Sequence, residues 1–477
     1  MIFPLHNTTA WWRHVASRLT FASRTVLVAD LDHDVDVSIT RDFYRVLRGQ
    51  DAGRIALDAL GPEACQEVIS RCRFLKTLDT GLALDMIGAM WKVLDAVVER
   101  ERPDVVLSCV VDRYLLDVLD RVLARRGIKY VGLAVSPTPD QVMFMAKGEY
   151  LPVREPSDEE VDRTIEQIVS PTFRPAYLPV RPRYNFLHFG RTYAHFTLRW
   201  LAFEALRRWE RNPLDFRYRS ACSIAPGYRV RLQDWAVMRH LDQNWETKLD
   251  AITHDRRVFL ALSVTPEAAI SYWVEQLDLI DEGAVFERAV EALIAAGYHI
   301  FVKDHPSQFG FRKRELVERL ARVPGVTFVP YDVPAKTLID RCKTTMTLTG
   351  TVGFEAMMAG RCAVVAASAY YVADPSFVTL KSLAGISDLP GVIERFQMPR
   401  DLATARRAVM RRLLRSCVPG QLSWLKWSDL RPGAAEAVET LVTSINNYVP
   451  QFISATKPGG SRRAGAAPAP VAAGGHA

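Results

Sequence analysis

Short apolar runs alternate with stretches of helical period along most of this chain. "MIF" has the pattern of a short strand, "WWRHVASRL" of a helix, and "TVLVADL" of a second strand that runs into "DHDVDV". Further on, "PDVVLSCVV" predicts a buried strand, "DRYLLDVLDRVLARRG" a helix stopped at Gly127, and "KYVGLAV" another strand. The same grammar restarts at residue 257: strand "RVFLALSV", helix "AVFERAVEALIAAG", strand "YHIFVK", helix "KRELVERLARV", strand "VTFVP", helix "AKTLIDRC", strand "TTMTLT", a helix through "FEAMMAG" and strand "CAVVAA". Strands separated by helices pair in parallel, because each return crossing needs a helix's length of chain. The expected fold class is therefore α/β, with two doubly wound units facing a cleft.

The segment between the units differs. Residues 181–240 hold twelve arginines and no lysine against Glu204, Glu210, Asp215 and Asp234, so the local balance is 12 − 4 = +8. Tyr184, Phe186, Phe189, Tyr193, Phe196, Trp200, Phe203 and Trp209 are interleaved with them. Two readings stay open: a surface for anionic lipid or a lipid-linked acceptor, or helices with a buried aromatic face and a solvated basic one. "DLATARRAVMRRLLRS" predicts a basic helix that could also touch a membrane, and "GAAEAVETLVTSINNYV" another helix. The expected division is an N-terminal α/β domain over 1–175, a helical linker over 176–250, a C-terminal α/β domain over 251–390, helices over 391–455, and a disordered Gly/Ala/Pro-rich tail over 456–477.

Composition narrows the class without choosing a function. A length of 477 residues with 49% hydrophobic content suits two or three domains with ample core. A net charge of +7 permits an anionic partner, and nucleic acid is not expected. The cysteines (65, 72, 109, 222, 342, 362, 417) form no CxxC pair, so reduced thiols are expected. The N-terminus lacks the pattern of a secretory signal, and no apolar run reaches membrane-spanning length. The expected location is cytoplasmic, at most peripheral at the inner face of the membrane.

Three turns carry candidate chemistry. In "TLTGTVGFE", a strand ends and Thr349, Gly350, Thr351 and Gly353 make a turn before a helix opening near Phe354. Backbone N–H groups at a helix start suit phosphate oxygens, and glycine lets a ligand approach the backbone. Glu355, placed in the first helical turn, suits ribose hydroxyls, or simply the helix dipole. In "VKDHPSQ", Lys303, His305, Pro306 and Ser307 follow another strand; the proline biases His305 toward extended backbone. An imidazole there can donate to phosphate or act as acid or base. In "SVTPEAA", Glu267 lies on the same carboxyl edge, or else Thr265, Pro266 and Glu267 cap a helix.

These motifs, with the following "AYY", occur in the order seen in bacterial capsule polysaccharide biosynthesis proteins, and the sequence resembles that family over roughly residues 255–380. The resemblance implies a GT-B-like fold of two Rossmann-like domains and a glycosyltransferase, in a group that includes retaining β-Kdo transferases using a CMP-activated sugar. It places Lys303, His305, Pro306, Ser307, Thr349, Gly350, Thr351, Gly353 and Glu355 at a nucleotide-sugar site. Thr265 stands where relatives carry glutamine, and Arg361 where lysine is frequent. The implied donor is CMP- or UDP-linked, with no further cofactor, and the implied acceptor is a polysaccharide or lipid-linked glycan. Catalytic candidates are His305 and Glu267, and across the cleft Asp112, with His6, Asp30, Asp32 and Asp34 as further choices. "DLDHDVD" also has the form of a metal-binding Asp-x-Asp, but no metal site is expected. A nucleotide-sugar epimerase and a non-catalytic scaffold remain alternatives.

Overall fold

The computed structural model describes residues 1–4, 8–30, 34–49, 51–170, 172–173, 184–209, 230–265, 267–372, 375–422 and 434–454. The first unit contains β1 (Ile2–Phe3), β2 (Val28–Ala29), β3 (Val37–Ser38), β4 (Val105–Cys109), β5 (Lys129–Val135) and β6 (Gln141–Met145). The second contains β7 (Arg257–Ala261), β8 (His299–Lys303), β9 (Val326–Val329), β10 (Thr344–Met346), β11 (Cys362–Ala366) and β12 (Val378–Leu380). A final strand, β13 (Cys417–Pro419), follows.

In the second unit the sheet order is β12-β11-β10-β7-β8-β9, with every pairing parallel. The chain starts at β7 in the middle, builds outward to β9, then returns to β10 and builds the other way. Its direction therefore reverses between β7 and β10, and ligands in such sheets bind outside the carboxyl ends of the strands at that reversal. The strands read as unbroken apolar runs because helices cover both faces. The first sheet runs β1-β4-β5-β6-β13, parallel up to β5 and antiparallel beyond. The Ile2 N–H donates to Val26 O, which brings the parallel pair β2–β3 alongside β1. This sheet therefore reverses between β1 and β4.

Two features depart from the sequence expectation. β6 is an antiparallel hairpin partner of β5, turned at Asp140, whose φ of 53° is left-handed. The C-terminal region does not form a separate helical piece. β13 pairs with β6, and Val438, Leu441, Val442 and Ile445 of the helix Ala434–Tyr448 pack with Trp11, Trp12, Val142 and Phe144. The end of the chain thus completes the first unit. A three-residue strand is too short to show periodicity, so its pairing was not visible in advance. The expected tail lies outside the described residues. The six described cysteines are all buried and unpaired.

The two units are held together by packing and by one buried cation. Met143, Met145, Val161 and Ile168 share a core with Phe259, Phe354, Met357 and Met410. Arg71, at the end of the helix Pro62–Arg71, donates to the carbonyls of Ser271, Val274 and Glu275 at 3.1, 2.6 and 2.7 Å, and to Glu67 at 2.7 Å. Removing the guanidinium takes the donor from those three carbonyls, while Glu67 keeps Arg121 and Lys147. Arg71→Leu is expected to cost about 3–5 kcal/mol and to split denaturant unfolding, followed by circular dichroism, into two transitions; an unchanged single transition would show that the latch carries no load.

Candidate active site

The loops after β10, β7 and β8 lie side by side because those strands are neighbours in that order. Arg312 ties two of them together. Its Nε donates to Asp304 Oδ1 at 2.9 Å, its Nη2 to Ser263 O at 2.5 Å, and its Nη1 lies 3.7 Å from Glu282 Oε2. All four residues are buried. Asp304 also accepts from the His305 N–H at 2.8 Å and the Tyr331 hydroxyl at 2.6 Å. Glu282 accepts from the Ser263 N–H and the Thr265 hydroxyl, both at 2.9 Å. Gln308 reaches across to Thr265 O at 3.4 Å. Thr265, though exposed, is thus tied to both the Glu282 helix and the β8 loop.

His305 caps the short turn Pro306–Gln308, and proline is favoured at the first position of such a turn. The Ser307 N–H donates to His305 Nδ1 at 3.1 Å, so the neutral ring carries its proton on Nε2. Burial first, and then the nearby Lys303 and Arg312, push the imidazole down to about 4 against the pull of Asp304. His305 is therefore a neutral donor at physiological pH, not an imidazolium. Lys303, expected to present charge at the strand's mouth, is instead buried behind the loop. Its Nζ donates to Asp304 O and Tyr331 O at 3.3 and 3.2 Å, and burial lowers it to about 8.

At the end of β10 the helix spans Thr351–Met358, opening three residues before the expected start at Phe354. Gly350 caps it, and the Tyr371 hydroxyl donates to Gly350 O at 2.7 Å. The glycine at 353 has a different cause from the one expected. A Cβ there would come within 2.6 Å of both Tyr371 Oη and Val365 Cγ1, so the protein's own side chains occupy that space. Glu355 falls in the second helical turn. It lines a cavity of ≈ 230 Å³ with Lys336, Asp340, Arg406 and Ile168. Burial raises its carboxyl to about 7, although Thr351 and Lys336 favour the charged form. Two hydroxyls flank the reversal point, the expected Thr349 and Ser263, which no motif singled out: Ser263 Oγ and Thr349 Oγ1 are buried with no hydrogen-bond partner. Buried polar atoms rarely remain so in a native protein.

On the first unit, Asp112 follows β4 and pairs with Arg113 at 2.9 Å. Burial opposes the Arg113 charge, but Asp112, with Asp30 behind it, outweighs that cost. Tyr272, whose hydroxyl burial keeps protonated, lies within electrostatic range of Asp112, so this carboxylate is near the segment that follows Glu267. Asp34 is exposed, and its carbonyl accepts from Arg13 at 3.0 Å. His6, Asp32 and Pro266 lie outside the described residues. Among the described residues no group of three or more His, Cys, Asp or Glu has the arrangement to hold a metal ion.

Glu267 is the titratable group with the most consequence. Burial first, then Glu282, raise its carboxyl to about 7. The unfolded group titrates near 4.5, so the folded state holds an extra proton between these values. That contribution to stability is complete below 4.5 and is lost as pH rises through 7. Glu267→Gln, neutral at every pH, is expected to melt like the parent at low pH and higher than the parent above neutrality, by of order 5 °C. Calorimetry across the pH range tests this, and parallel melting curves would remove Glu267 from consideration as a proton carrier.

Residues 255–374 match the family model described as capsule polysaccharide biosynthesis protein. No curated protein matches the sequence. Among solved structures, the β-Kdo 2,7 transferase KpsC of Thermosulfurimonas dismutans aligns at 12% identity and TM-score 0.32, over 74% of this chain and 89% of that one. The UDP-GlcNAc 2-epimerase of Methanocaldococcus jannaschii aligns at 10% and 0.28, over 87% and 97%. The α,α-trehalose 6-phosphate synthase of Burkholderia multivorans aligns at 13% and 0.31, over 90% and 86%. The description as two Rossmann-like units rests on the sheets described above. The match over 255–374 coincides with the unit that holds all three site loops, so that segment is similar to capsule polysaccharide biosynthesis proteins.

Proposed function

We propose that this protein is a metal-independent GT-B-type glycosyltransferase. It moves a sugar from a CMP- or UDP-linked donor to a capsular or other surface polysaccharide, or to its lipid-linked precursor. The observation that carries the reading is His305: a neutral imidazole, capped on Nδ1, on the same carboxyl edge as the Gly350 turn with the β7 loop between them.

When the bond between the sugar's anomeric carbon and the phosphate oxygen breaks, negative charge grows on the leaving phosphate. His305 Nε2–H and the first N–H groups of the helix Thr351–Met358 are donors suited to that charge. Lys303 sits one layer behind, holding the β8 and β9 loops through their carbonyls and adding positive potential. Ser263 and Thr349 supply two further hydroxyls at the reversal point. Glu267, raised to about 7, is suited to exchanging a proton with the acceptor hydroxyl near neutral pH, and Asp112 is the candidate for that role from the first unit.

A thermal-shift screen with CMP, UDP, GDP and their sugar conjugates tests this. At about 100 times its dissociation constant, a ligand should stabilise the native state by about 2.7 kcal/mol. His305→Asn retains a capping acceptor for the Ser307 N–H, so its unliganded melt should stay within about 1 kcal/mol of the parent while nucleotide stabilisation disappears. Turnover that requires an added glycan acceptor separates a transferase from an epimerase. A cooperative melt with no response to any nucleotide would favour a non-catalytic scaffold.

A further inference from the structure

We propose that the outer face of the helix Phe186–Trp209 docks on the surface of an anionic lipid bilayer, with the helix lying in the headgroup plane. The helix has 24 residues and spans about 36 Å. Its two faces are both apolar. Phe189 and Phe196 face inward against Trp235 and Phe311, with ring centroids 5.3 and 4.8 Å apart. Opposite them, Leu187, Leu198, Leu201 and Trp209 are 70%, 66%, 49% and 86% exposed. At 3.6 residues per turn these four fall within about 80° of one another, a continuous outer stripe with the exposed Ala194 and Ala205 between them. An exposed apolar stripe this long is costly in water unless something covers it.

The charge pattern selects the cover. Arg191 stands within the stripe and is exposed, while the exposed Arg199 and the half-buried Glu204 lie beyond its two edges, about 80° and 60° away at 3.6 residues per turn. An apolar stripe that holds an arginine and, among the described residues, no acid complements an anionic interface. Among the described residues no helix is long and apolar enough to cross a membrane, so the contact is peripheral. The other basic stretch is otherwise engaged: Arg407, Arg411 and Arg415 pair with Asp162, Asp158 and Glu155 of the first unit. The inner face of the same helix packs on Phe309 and Phe311, just beyond Gln308 of the donor loop. Docking here sets that loop directly above the bilayer. The inference stands on the helix alone and does not require the transferase reading.

Co-sedimentation of the full chain with vesicles of phosphatidylcholine alone, and mixed with phosphatidylglycerol, tests it. Binding is expected to the mixed vesicles and to weaken as salt rises. Combined Leu198→Gln, Leu201→Gln and Trp209→Gln should reduce it at least tenfold, and Arg191→Gln with Arg199→Gln about fivefold per arginine. All of these positions are exposed, so the melting temperature should not change. Equal binding to both vesicle types, no binding to either, or a triple variant that binds like the parent would each overturn the proposal. So would self-association of the parent that the triple variant abolishes, which would assign the stripe to a second copy of the chain.

Discussion

The site depends on a single buried guanidinium. Arg312 joins Asp304, Ser263 O and Glu282, which belong to the β8 loop, the β7 loop and the helix Glu282–Ala295. Burying one cation and two carboxylates is expensive, and the cost is offset only because nearly every remaining lone pair is engaged by Tyr331, Thr265 and main-chain N–H groups. Losing any member would strand the others. The result is a rigid floor that fixes where His305 and Thr265 can be, so the loops present their donors without being ordered by a ligand.

That rigidity explains why the charged residues nearest the strand ends point inward. Lys303 and Asp304 follow β8 directly, and both are spent on the loop itself. The groups left for chemistry are milder: a neutral imidazole, main-chain N–H groups, hydroxyls, and a carboxyl near neutrality. Such a set suits a reaction in which charge appears only as a bond breaks, because fixed dipoles act on it without being neutralised in the resting state.

The helix Phe186–Trp209 joins a packed face to an exposed one. Its aromatic side packs against the loop after β8, as the structural reading of the Arg/aromatic stretch requires. Its outer side is apolar with arginine, which a purely solvated face would not need. In the second basic helix Arg407, Arg411 and the following Arg415 pair with acids of the first unit.

Local pattern determined much of this protein. Alternating strands and helices implied two doubly wound units, and the order of "SVTPE", "KDHPS" and "TGTVGFE" implied that their turns share one edge; both follow from periodicity and chain direction, which are written locally. The conformation of His305 was also legible, since the proline after it restricts its backbone. Tertiary structure alone decided the rest. The inward turn of Lys303, the reason for Gly353 and the second-turn place of Glu355 depend on Tyr331, Tyr371 and Val365, residues that reach these positions only after folding. Arg312, Glu282 and Ser263 carried no motif, and β13 returned to the first sheet from about 270 residues away. Pairing and burial between distant segments leave no periodic trace, so only the packed molecule could assign them.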